Sequence, residues 1–113
     1  PATDYIEEDI DLNVHLIKNV PATFVIRVQG RSMTDVGIND GDILVVDKSL
    51  NPRNFSTVIA NVHDELVVKT FVQERDKKFL TSGSKKFEDR ILINEEEDIF
   101  IWGVVTYVIH SVY

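Results

Sequence analysis

Apolar and polar positions alternate along most of this chain with a period of two. In ATFVIRV (22–28), Phe24, Ile26 and Val28 fall on one face and Val25 and Arg27 on the other, the pattern of a strand. DILVVD (42–47) is a short apolar run rich in β-branched residues and closed by polar punctuation. STVIANV (56–62) and ELVVKTFV (65–72) are separated only by His63 and Asp64, which predicts a hairpin. KFL (78–80) and RILI (90–93) are shorter strand candidates on either side of the turn-like SGSKK. IFIWGVVTYVIHSV (99–112) is long and β-branched, and Gly103 in its middle predicts a bulge, a bend, or two strands in succession. DLNVHLIK (11–18) suggests a turn of helix capped by Asp11, although its letters also alternate. Many short strands with turn signals and little helix predict a mostly β fold, a compact curved β-sheet or barrel.

Composition narrows the class. A length of 113 residues predicts one domain, and 43% hydrophobic residues are enough to fill its core. No run approaches the roughly 18 apolar residues of a membrane span. The first thirteen residues are acidic and carry no Lys or Arg, which is not the start of a signal peptide. Cysteine is absent, so no disulfide framework or thiolate metal site is expected, in keeping with the cytoplasm. A net charge of −7 argues against tight, direct binding to DNA. Asp4, Glu7, Glu8, Asp9 and Asp11 form one acidic cluster and Glu95, Glu96, Glu97 and Asp98 another. Lys77, Lys78, Lys85 and Lys86 form a small basic stretch between them. Such runs read first as solvated faces and second as contacts for a partner of complementary charge.

Few residues offer chemistry. His15, His63 and His110 have no ligand-spaced partner, so neither a metal nor another cofactor is expected. Asp42, in NDGD before an apolar run, reads as ordinary turn chemistry. Ser32 in GRSM and Lys69 within ELVVKTF remain. A serine hydroxyl needs a base to take its proton, and a lysine serves when it is neutral, which apolar surroundings favour. Val67 and Phe71 share the predicted face of Lys69, while Leu66, Val68 and Val72 lie on the other. Glu65 falls on the Lys69 face towards the turn and is expected to point to solvent. The backbone N–H groups of Ser32 and Met33 could hold an oxyanion. Taken alone, these residues fit a loop serine and a solvated lysine better than a nucleophile and its base.

Three ordered blocks change the balance. VQGRSMTDVGINDGDILVVD (28–47), VIANVHDELVVKTF (58–71) and IWGVVTYVIH (101–110) resemble the self-cleaving domain shared by LexA-type repressors and UmuD mutagenesis proteins. The start, PATDYIEEDIDLNVHLI (1–17) followed by ATFVIRVQGRSM (22–33), resembles the UmuD branch. The resemblance implies that Ser32 is the nucleophile, Lys69 the general base, and the N–H groups of Ser32 and Met33 the oxyanion hole. It divides the chain into an N-terminal arm (1–21) and a Ser-Lys peptidase-type β domain (22–113). It also implies a precursor that cleaves itself on the RecA filament on single-stranded DNA. The product would be a homodimer serving a UmuC-like error-prone DNA polymerase in translesion synthesis. The alternative is the self-cleavage and dimerisation domain of a LexA-like repressor. The family is cut after Ala or Cys that precedes Gly, and neither dipeptide occurs here, so the chain resembles the processed product. Departures from the family pattern are Arg31, NFST (54–57) before the VIA strand, and SGSKKF (82–87) in place of an asparagine-bearing segment.

Overall fold

The structure, a computed structural model, describes residues 10–83 and 86–113, with the backbone alone for 86–88. The first nine residues of the expected arm, with Asp4, Glu7, Glu8 and Asp9, and Lys85 of the basic stretch lie outside the described residues. Among the described residues, seven strands run in chain order: β1 (Thr23–Arg27), β2 (Ile43–Asp47), β3 (Thr57–Val62), β4 (Glu65–Glu74), β5 (Lys77–Ser82), β6 (Lys86–Leu92) and β7 (Ile99–Ile109). They form one antiparallel sheet in the order β1-β2-β7-β3-β4-β5-β6. Among the described residues the sheet is curved and open, with β1 and β6 at its edges, so of the two expected shapes it takes the curved sheet.

The turns explain the hairpins. His63 and Asp64 both take positive φ, 51° and 69°, as the two central residues of a type I′ turn must, and Val62 pairs with Glu65. Arg75 at φ 57° opens the next turn, and Glu74 pairs with Lys77. β5 and β6 are longer than the apolar letters suggest because their polar ends are paired too. Glu74 pairs with Lys77 across the turn, and Arg90 grips Glu74 through two hydrogen bonds of 2.8 and 2.7 Å. Residues 11–18 settle as a helix, α1 (Leu12–Leu16), whose first turn is capped by Asp11 Oδ1 accepting from Asn13 N at 3.0 Å.

β7 is one strand with two sets of partners. Residues Ile99–Val104 pair with β3, and residues Val104–Ile109 pair with β2. The register slips at Trp102 and again at Thr106, each an extra residue opposite a continuous partner. Gly103 is glycine because of close approach: a Cβ there would lie 2.6 Å from Val46 Cγ1 and 3.4 Å from Lys48 Cγ.

β3 shows how the core is divided. Ile59 enters one apolar cluster, with Val28, Met33, Ile38, Leu44 and Val46. Its neighbours Val58 and Ala60 enter a second, with Phe71, Leu80, Ile99 and Val104. Successive side chains point to opposite faces of a sheet, so this strand is buried on both.

Candidate active site

Ser32 is carried by the long connection between β1 and β2. Val28 N donates to Asp42 O (2.8 Å) and Gly41 N to Val28 O (2.9 Å), which closes the base of the connection. Gly30 takes φ +104°, a conformation that favours glycine, and its N–H donates to Asp40 Oδ1 at 2.8 Å. Met33 is buried in the first cluster, and its carbonyl accepts from Val36 N and Ile38 N at 3.1 and 3.2 Å. Ser32 is therefore an exposed hydroxyl held between a left-handed glycine and a buried methionine. Among the described residues, the N–H groups of Ser32 and Met33 donate to no backbone carbonyl.

Lys69 sits in the middle of β4, opposite Val58, and is half-buried. Of its neighbours along the strand, Phe71 is buried, Val67 is half-buried and Glu65 is exposed, as expected. A cavity of about 310 Å³ brings the two residues into one cleft. Val28, Gln29, Gly30, Ser32, Met33 and Ile38 line one side, and Leu66, Val67, Val68 and Lys69 the other. The backbone of both walls is extended or turn-like, so the cleft can take an extended peptide segment.

Two contacts, one at the lysine and one at the base of the serine connection, are not marked in the sequence. Lys69 Nζ donates to Ser82 Oγ at 2.8 Å. The clue lay in the hairpin: five residues back from Glu74 and five on from Lys77 set Lys69 opposite Ser82. The turn at Arg75-Asp76 carries no glycine or asparagine to mark that register. The other contact joins Asp42, which is buried, to His110, with Oδ1 and Nδ1 2.6 Å apart. Asp42 Oδ2 also accepts from Asn39 N at 2.8 Å, which is the turn chemistry foreseen for it. The Asn39 N–H, and after it His110, hold the Asp42 carboxyl below its ordinary range. These two residues lie far apart in the chain, and no local pattern announces the pair. Among the described residues there is no group of three His, Cys, Asp or Glu side chains able to hold a metal ion. Among them, too, no helix is long and apolar enough to cross a membrane.

The sequence profile of the family described as Peptidase S24-like matches residues 1–106. The chain is 43% identical over 110 residues to Protein ImpA of Salmonella typhimurium, spanning 97% of this chain and 74% of that protein. Protein MucA of Escherichia coli is 37% identical over 107 residues, spanning 95% of this chain and 73% of its own length. The LexA repressor of Providencia rettgeri is 34% identical over 110 residues, 97% of this chain but 53% of the repressor.

Proposed function

The chain belongs to the Peptidase S24-like family, and we propose that it is a UmuD-like SOS mutagenesis protein in which Ser32 and Lys69 form a self-cleaving dyad. The observation that carries this reading is the single cleft that both side chains line. An extended segment of the chain's own N-terminal side enters that cleft. Lys69 takes the hydroxyl proton as Ser32 Oγ attacks the scissile carbonyl carbon. The carbonyl oxygen becomes an oxyanion held by the Ser32 and Met33 N–H groups. Collapse of this intermediate breaks the C–N bond, and the leaving amine receives the proton from Lys69. Water, deprotonated by the same lysine, then hydrolyses the acyl ester and returns Ser32 to its starting form.

The cut separates a short leader from the arm (1–21) and the peptidase-type domain (22–113), and the product acts in the cytoplasm. It works as a homodimer with a UmuC-like error-prone polymerase, after cleavage stimulated by the RecA filament on single-stranded DNA. Tyr107, Val108 and Ile109, exposed at the end of β7, suit the dimer contact. The identities favour this branch over the repressor: 43% to ImpA and 37% to MucA against 34% to LexA.

The test is cleavage in trans. The substrate is the same chain extended upstream through an Ala-Gly or Cys-Gly site, with Ser32→Ala. The chain cuts it, Ser32→Ala in the enzyme abolishes cutting, and Lys69→Ala lowers the rate by about 10²–10⁴-fold at pH 7, the usual worth of a general base. Undiminished cutting by Lys69→Ala at neutral pH would remove the lysine from the mechanism.

A further inference from the structure

The end of β5 touches both halves of the dyad. Ser82 Oγ accepts from Lys69 Nζ at 2.8 Å. The next residue, Gly83, is buried and donates its N–H to Met33 Sδ at 3.1 Å, one residue from Ser32. Gly83 also packs so closely on the serine loop that a Cβ at this position would lie 2.1 Å from Asp35 Oδ1. Its φ of +69° suits glycine, and its carbonyl accepts from the buried Thr81 hydroxyl at 3.3 Å. One dipeptide, fixed from behind, thus meets the lysine with a side chain and the serine turn with its backbone.

We propose that Ser82 is a positioning residue for the cleavage reaction, aiming the Lys69 amine at Ser32 while Gly83 sets the distance between them. This rests on the dyad reading. The physical need is specific. A lysine ends in four rotatable carbons and a freely turning nitrogen, so an apolar cleft wall alone leaves its lone pair undirected. A neutral amine has two N–H bonds and one lone pair. When one N–H is anchored on Ser82 Oγ, rotation about the last bond is restricted and the lone pair is held towards the cleft. After proton transfer the ammonium keeps the same anchor and gains a donor for the leaving group. The anchor comes from the segment in which this chain departs from the family pattern, SGSKKF.

The experiment is the trans-cleavage assay with Ser82→Ala, Ser82→Cys and Ser82→Thr, each paired with a thermal melt and with Lys69→Ala and Ser32→Ala controls. Misdirecting a catalytic group by about 1 Å costs on the order of 10²-fold. Ser82→Ala is therefore expected to lower kcat about 10–100-fold with KM changed less than about twofold. Ser82→Cys keeps the size of serine but accepts hydrogen bonds poorly, so it folds and loses kcat likewise. Ser82→Thr retains the hydroxyl and recovers most of the rate. Wild-type kcat in a folded Ser82→Ala or Ser82→Cys chain overturns the proposal, as does a Thr variant that melts normally and is as slow as Ala. If Lys69→Ala still cuts, the dyad reading itself fails. If Lys69→Ala is slow and Ser82→Cys is fast, only the positioning role fails.

Discussion

Replacing Gly103 with alanine tests the junction on which the sheet depends. The added Cβ would stand 2.6 Å from Val46 Cγ1, a separation that carbon atoms do not tolerate. Val46 cannot swing aside: it is fully buried in the first cluster, and its branched side chain has few alternative rotamers. The strain must pass into the β2–β7 backbone pairing, where Val46 pairs with Val105 beside the bulge. Overpacking of this kind costs about 1–3 kcal/mol. Alanine returns about 0.5–1 kcal/mol by restricting the unfolded chain. Mid-range values give a net loss of about 1.3 kcal/mol, or roughly 5–8 °C in melting temperature for a domain of this size. Urea unfolding and thermal melts followed by circular dichroism would measure it. Adding Val46→Ala to Gly103→Ala supplies a control, because it removes the colliding methyl. The double variant should then be less destabilised than the sum of the two singles. A Gly103→Ala chain that melts at or above the parent temperature, or two changes that simply add, would refute the steric reasoning.

Other outcomes follow from single residues. Phe71→Ala empties a buried ring from the second cluster and should cost about 3–5 kcal/mol, read from the urea midpoint. Asp42 has its carboxyl held below the ordinary range in the folded state, so its contribution is present above the unfolded value of about 3.9 and is lost as pH falls through the folded one. Asp42→Asn should therefore be less stable than the parent at pH 7, with the gap narrowing below about pH 4; a gap that widens on acidification would contradict the assignment. With a net charge of −7, the purified chain should bind duplex DNA only weakly, and tight binding that weakens steeply with salt would count against it.

The strands were legible where side chains alternate or branch at Cβ, as in β1, β2, β3 and β7. The β3–β4 hairpin was legible because two apolar runs flank only His63 and Asp64. β5 and β6 extend past KFL (78–80) and RILI (90–93), where Lys77, Ser82 and Asp89 look like loop in the sequence. Their strand state comes from cross-strand pairing, which a single strand's letters do not contain. The open edge was not legible either, since curved sheets and closed barrels share the same alternation. Gly103 was recognised as a disturbance, but its cause is the Val46 side chain on another strand. At the site, Ser32 and Lys69 stood out through their motif blocks. Ser82 needed the exact register of β4 on β5, and the Asp42–His110 pair needed the whole topology.

The divided pairing of β7 has a consequence for synthesis. Its first half holds the β3 side of the sheet, which carries Lys69, and its second half holds the β2 side, next to the Ser32 loop. In the strand order, β2 and β3 are neighbours of β7 and not of each other. Of the strands described, β7 leaves the ribosome last. Until residues 99–109 have emerged, the nascent chain has no strand that pairs with both β2 and β3. The emergence of β7 and the pairing of the two sides of the cleft into one sheet are therefore the same event, and a nascent chain without β7 has no finished blade to turn on itself.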